Sequence, residues 1–219
     1  MISKITLNNV LPQVFGGSEN DAPVKSSKVW LQKLNFSSPN SYLVEAESGT
    51  GKTSLCSFIY GYRRDYNGEI LFDDENIKAF TIERWSELRT HSIAFLPQEL
   101  RLFPELTVWE NIQIKNRLTD FKSESDIKAM LQRLEIEEKL NEQVAYLSIG
   151  QQQRVAIVRA LCQPFDFLLL DEPVSHLDAR NNSVVAQLIT EEASSQNASI
   201  IATSVGNNLD MSFTYTLNL

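Results

Sequence analysis

The string Ala46-Glu47-Ser48-Gly49-Thr50-Gly51-Lys52-Thr53 constrains this chain more than any other feature. It follows Tyr42-Leu43-Val44-Glu45, a short apolar run that reads as a strand, and precedes Ser54–Tyr60, which reads as a helix ended by Gly61. Strand, glycine-containing turn, then Lys-Thr opening a helix is the arrangement of a phosphate loop. Backbone N–H groups of such a turn and of the helix N-terminus point at an anion. Lys52 is then expected to reach the β- and γ-phosphates of a nucleotide, and the Thr53 hydroxyl to take a place on magnesium. Glu47, Ser48, Gly49, Thr50, Gly51 and Ser54 are the other expected nucleotide contacts. The usual first glycine of the pattern is Ala46 here, and a methyl at a tight turn costs backbone freedom.

A second string, Phe167-Leu168-Leu169-Leu170-Asp171-Glu172, is four apolar residues followed by two carboxylates. An apolar strand delivers Asp171 to the carboxyl end of a parallel sheet, where ligands bind in such folds. Asp171 is expected to hold the magnesium and Glu172 to orient or deprotonate the attacking water. An Asp-Glu pair after an apolar strand is by itself more often a helix N-terminal cap.

The rest of the chain agrees with an α/β architecture. Residues 2–7 alternate like a strand, a loop is expected over 16–27, and a second strand pattern runs through Val29, Leu31 and Leu34. Strands are also expected at 69–72, 92–96, 166–170, 199–203 and 213–217, and helices at 149–162 and 179–193. From about 105 to 146, Leu118, Ile127, Leu131, Leu134 and Leu140 recur at helical spacing among charged residues, the signature of an inserted helical lobe. Strands alternating with helices around continuous apolar runs predict a mostly parallel sheet covered on both faces. The net charge of -8 argues against a nucleic-acid partner. Cys56 and Cys162 sit in apolar helical stretches and read as buried thiols rather than a disulfide. The N-terminal residues lack the apolar core of a secretory leader, and no apolar run approaches the ~20 residues of a membrane helix.

Between the two strings lies Leu147-Ser148-Ile149-Gly150-Gln151-Gln152-Gln153-Arg154, which resembles the LSGGQ signature of ATP-binding cassette ATPases. Ser175-His176-Leu177-Asp178 resembles their D-loop, Phe95-Leu96-Pro97-Gln98 their Q-loop, and Leu106–Ile112 the following segment of cassettes from small bacterial transporters. Those include the lipoprotein-release, macrolide-export and cell-division types. The resemblance runs from residue 2 to about 215. It implies a P-loop NTPase core of RecA-like type with an N-terminal antiparallel β subdomain, together spanning about 1–98 and 147–219, and a helical subdomain at about 99–146. It further implies ATP and Mg2+ as ligands, and a head-to-tail dimer of identical or different cassettes. A separate integral membrane permease is the implied partner, placing the chain on the cytoplasmic face of the membrane. Ser148 and Gly150 would meet the γ-phosphate of the partner's nucleotide, with Gln151 a further nucleotide-binding residue. Gln98 would serve the metal and couple the site to the permease cleft, and Asp178 would pass between the two sites.

The chain departs from the family at four places. Ala46 and Ile149 replace glycines. After the strand ending at Thr203 the family places a histidine on the γ-phosphate, and here stands Ser204; the two histidines, His91 and His176, lie elsewhere. Losing one preorganised stabiliser of transition-state charge costs ~10²–10³ in turnover, so slow hydrolysis is expected unless Thr203 or Asn207 stands in. The adenine-stacking aromatic is least defined: Phe15 is the candidate, while Trp30 reads as core.

Overall fold

The chain runs β1 (Lys4–Pro12), α1 (Ala22–Ser26), β2 (Lys33–Ser37), β3 (Ser41–Glu45), α2 (Lys52–Ile59), β4 (Tyr66–Phe72), β5 (Glu75–Asn76), α3 (Ile82–His91), β6 (Ile93–Leu96), α4 (Val108–Asn116), α5 (Glu124–Arg133), α6 (Ile149–Leu161), β7 (Phe167–Asp171), α7 (Ala179–Ser195), β8 (Ser199–Ser204) and β9 (Tyr215–Asn218). This is a computed structural model, and it describes residues 1–17, 22–47 and 49–219. Ser48 therefore lies outside the described residues.

Five strands form an all-parallel sheet in the order β6-β7-β8-β3-β9. Successive side chains of a strand point to opposite faces, and here each face has its own core. Leu168 and Leu170 of β7, with Ile200 and Ala202 of β8, join one apolar cluster. Phe167, Leu169 and Ile201 join another. A sheet buried on both faces needs continuous apolar strands, and β7 is buried at every residue. The second core is closed by α2 and by an antiparallel sheet of order β2-β1-β4-β5. The fold is thus an α/β P-loop NTPase with an antiparallel sheet and a helical segment, as expected.

Helices α4 and α5 lie between β6 and α6. Each begins with a reciprocal cap, Thr107 with Glu110 and Ser123 with Asp126. Ile112, Ile127, Leu131 and Leu134 share one apolar cluster with Val155 and Val158 of α6 and with the parallel sheet. Among the described residues three ion pairs, Lys122–Glu192 and Arg133–Glu191, both at 2.6 Å, and Arg180–Glu135, also tie this lobe to α7. Such pairs contribute ~0–1 kcal/mol each, against ~1.5–3 kcal/mol for each large apolar side chain buried. The apolar seam sets where the lobe sits. Among the described residues no helix is long and apolar enough to cross a membrane.

Three sequence expectations need correction. Residues 29–32 are not strand: the Ser27 hydroxyl accepts from the N–H groups of Val29 and Trp30, and Leu31 takes φ +57°. This local turn outcompetes the apolar alternation, and strand begins at Lys33. Part of the expected loop 16–27 is helix, α1, with 18–21 outside the described residues. Helix α3, not expected, is capped by Thr81 accepting from Arg84 N–H. Cys56 and Cys162 are buried free thiols, and burial pushes the Cys162 thiol up to about 12.

Candidate active site

Three parallel strands end side by side. Glu45 of β3 is level with Ser204 of β8, and Asp171 of β7 with Thr203. The loop after β3 begins with Ala46, whose N–H donates to the Ser204 carbonyl at 3.2 Å. Ala46 does not take a positive φ, whereas Gly49 and Gly51 do, at +86° and +103°. The left-handed backbone that needs glycine is carried further along the loop, so the Ala46 methyl adds no strain there. Gly51 also has no room: a Cβ on it would lie 3.0 Å from the Trp30 ring and 3.4 Å from the Phe15 ring. Trp30 is buried as expected, but its indole N–H also donates to the Thr50 carbonyl at 3.1 Å. The Thr50 hydroxyl closes the loop on the Glu47 carbonyl at 2.9 Å.

Lys52 is 5% exposed. Its ammonium donates to the carbonyls of Glu47 (2.9 Å) and Ala46 (3.3 Å) and lies 3.8 Å from a Glu172 carboxylate oxygen. Gln98 bridges the rest. Its carbonyl accepts from the Thr53 hydroxyl at 3.4 Å, and its amide donates to Glu172 at 3.3 Å. Lys52, Thr53, Gln98 and Glu172 are therefore one connected polar cluster at the carboxyl edge of the sheet, and Asp171 joins it through the Thr203 hydroxyl, which donates to Asp171 and accepts from Glu172 N–H. The Ser54 hydroxyl is engaged elsewhere, accepting from Arg63 at 2.8 Å.

Asp171 is 1% exposed. One carboxylate oxygen accepts from Thr203 at 2.7 Å, and the other, Oδ2, is buried with no hydrogen-bond partner. Burial pushes this carboxyl up, with the nearby Thr203 and Thr53 hydroxyls opposing. An orphaned carboxylate oxygen next to a threonine hydroxyl and a glutamine carbonyl is an all-oxygen donor set, which fits a hard divalent cation such as Mg2+.

Ser204 closes the edge, 2% exposed, its hydroxyl accepting from Gly206 N–H at 3.1 Å. The two neighbours able to stand in for a histidine are committed elsewhere. The Thr203 hydroxyl serves Asp171, and the Asn207 amide donates to the Val174 carbonyl at 2.9 Å. Phe15 ends a 3₁₀ turn (Gln13–Phe15) and is half-buried beside the phosphate loop.

The signature residues stand apart from this cluster. Ser148 caps α6: its hydroxyl accepts from Gln151 N–H at 3.3 Å, and the Gln151 side chain accepts from Ser148 N–H at 2.9 Å. The signature is thus the preorganised N-terminus of a 13-residue helix with its positive dipole end open. Ile149 is exposed, so its side chain meets no steric obstacle. Gly150 is tight: a Cβ there would lie 3.0 Å from the His176 carbonyl. Asp178 caps α7 by accepting from Asn181 N–H at 2.8 Å, and those bonds hold its carboxyl below the usual range. Among the described residues no hydrogen bond joins Ser148, Gly150, Gln151 or Asp178 to the phosphate loop.

Sequence reasoning missed Gln153, a buried amide linking α6 to both Glu172 and the 175–178 loop. It also missed the contacts of Trp30 and Thr203. No local string marks these contacts, because the partners lie 19 to 32 positions away.

A phosphate loop, a strand ending in paired carboxylates and a capped signature helix on one α/β core define a P-loop nucleotide site. Comparison with known proteins narrows the class. Residues 33–175 match the ABC transporter family. The lipoprotein-releasing system ATP-binding protein LolD of Buchnera aphidicola is 33% identical over 164 residues, covering 74% of this chain and 72% of that protein. The ABC transporter ATP-binding protein YtrE of Bacillus subtilis is 30% identical over 178 residues, covering 80% and 75%. The dimeric structure of MJ0796, a bacterial ABC transporter cassette, superposes with a TM-score of 0.74 at 24% identity, over 91% of this chain and 87% of that one. The chain belongs to the ABC transporter family and is one of its ATPase cassettes.

Proposed function

We propose that the chain binds Mg-ATP on its phosphate loop and closes on a second cassette, in the simplest case a second copy of itself. That closure drives or gates a separate membrane permease. The observation that carries this reading is the connected cluster of Lys52, Thr53, Gln98 and Glu172 at one sheet edge, with Asp171 joined to it through the Thr203 hydroxyl. In it, Lys52 and the loop N–H groups of residues 47–54 hold the β- and γ-phosphates. Thr53, Gln98 and Asp171 hold the ion, which when bound neutralises phosphate charge. Glu172, freed from its 3.8 Å contact with Lys52 as phosphate takes up the ammonium, accepts a proton from the attacking water. Phe15 offers its ring to the adenine. Ser148, Gly150 and Gln151 present the α6 N-terminus to the γ-phosphate held by the other cassette, and Asp178 lies between the two sites.

The permease reading has a surface to work on. A cleft of about 570 Å³ lies between the core and residues 99–146, which we take as a helical subdomain. Tyr60, Tyr62, Ile82, Trp85, Arg89 and Lys115 line it, and this is where a membrane subunit would dock, on the cytoplasmic side. Burial and the nearby Arg159 and Arg89 lower the Lys115 ammonium to about 8.

Turnover is expected to be slow. Ser204 offers an uncharged, buried hydroxyl where a cationic or polar ring would reach the γ-phosphate. That same observation favours a second reading, a regulatory subunit that binds ATP and signals by shape with little hydrolysis. Phosphate release by the purified protein tests both. A low basal rate, raised by Ser204→His about tenfold or more and abolished by Glu172→Gln, supports a damped ATPase. A rate that stays at background in Ser204→His supports the regulatory reading. A folded protein with no ATP affinity overturns both.

A further inference from the structure

Glu172 sits at φ +51°, in the left-handed region that non-glycine residues rarely occupy. Such a backbone persists only where its surroundings hold it. Both of its peptide groups are held by side chains from other elements. Its N–H donates to the Thr203 hydroxyl of β8 at 3.3 Å. Its carbonyl accepts from the side-chain amide of Gln153, on α6, also at 3.3 Å, and from Ser175 N–H at 3.4 Å.

Gln153 does more than this. It is 1% exposed and uses both ends of its amide. Its NH2 also donates to the Ser175 hydroxyl at 3.4 Å, and its carbonyl accepts from His176 N–H at 3.0 Å. One turn earlier on the same helix, Gly150 lies against the His176 carbonyl so closely that a Cβ would be 3.0 Å away. A single buried side chain therefore joins three things: the helix that starts at the signature, the loop leading to Asp178, and the backbone of Glu172. A buried amide with its hydrogen bonds met is costly to disturb, so displacement at one end is passed to the other rather than absorbed.

We propose that Gln153 is a positioning residue. It fixes the left-handed backbone of Glu172 and couples that carboxylate to the signature helix of the same chain. In a closed pair of cassettes the signature serves one nucleotide and Glu172 the other, so Gln153 ties the two sites together. This rests on the reading of Glu172 as the group that accepts the water's proton.

The test compares the parent chain, Gln153→Met, Gln153→Glu and Glu172→Gln. Phosphate release with Mg-ATP gives kcat, a fluorescent ATP analogue gives nucleotide affinity, and thermal melts check the fold. Met keeps the volume and removes every hydrogen bond. Glu keeps an acceptor for His176 N–H and loses the donor to Glu172. Misplacing a catalytic group by about an ångström costs up to ~10²-fold. Both Gln153 variants should therefore lose about tenfold to a hundredfold in kcat while analogue affinity stays within about twofold. A structural role alone would not produce that split. The proposal is overturned if either folded variant keeps the parent's kcat while Glu172→Gln is inert. It is equally overturned if affinity falls in step with kcat. If Glu172→Gln itself turns over at the parent's rate, the assignment of Glu172 fails, and this proposal loses its ground with it.

Discussion

Lys52 and Asp171 are almost wholly buried, held by loop carbonyls and by a hydroxyl from the neighbouring strand. Ser148, Ile149 and Asp178 stand on the surface, held only as the first turns of α6 and α7. Both sets carry the strings that define the family, yet they are built on different physics. The first set carries an uncompensated feature, the partnerless oxygen of Asp171. The second has its own hydrogen bonds met and an open helix N-terminus, which is the form expected of a surface awaiting an anion delivered by another molecule. The comparison teaches that one face of the site is prepared by burial, at a cost in stability, and the other by capping, at almost none.

Asp171→Asn should break this contrast most visibly. Its folded carboxyl is raised by burial, so the neutral form favours the fold. That contribution is complete below the unfolded carboxyl range and is lost as pH rises through the raised folded value. At neutral pH the buried carboxylate is therefore a net cost. Asp171→Asn keeps an acceptor for Thr203 and should melt higher than the parent without ligand. It should also lose at least about 10²-fold in Mg-ATP turnover. Melts from pH 4 to 8 check the sign: the gap between variant and parent should widen with pH. A variant that melts lower throughout would mean that the Asp171 charge is compensated.

The capped face should give a smaller effect of the opposite kind. Ser148→Ala removes a helix cap worth about 1 kcal/mol, a fall of about 2–4 °C in melting temperature for a chain this size. Thr107→Ala at α4 removes an equivalent cap and should lower the melt by a similar amount. Only Ser148→Ala should also weaken turnover. Equal turnover in the two variants would remove Ser148 from the site.

What was legible in the sequence follows the same division. The phosphate loop, the β7 strand with its carboxylates and the signature helix were readable because each is a contiguous string whose local structure and chemistry coincide. The strand-like pattern of Val29, Leu31 and Leu34 misled because a single hydroxyl, Ser27, turned the chain. Helix α3 was hidden because few of its residues are apolar and its face rests on Trp85 and Leu88 alone. Gln153 was invisible for a different reason: it sits in a run of three glutamines, and only the fold shows which one points at Glu172.

The most direct test of the account is complementation. Lys52→Ala removes the phosphate-binding face and leaves the signature; Ser148→Arg blocks the signature and leaves the phosphate loop. Each variant alone should release phosphate at background. If the site is shared between two copies, mixing them should restore turnover, because one intact face of each meets in the pair. A mixture that stays at background, from two variants that each fold as the parent does, would contradict a site built from two copies of this chain.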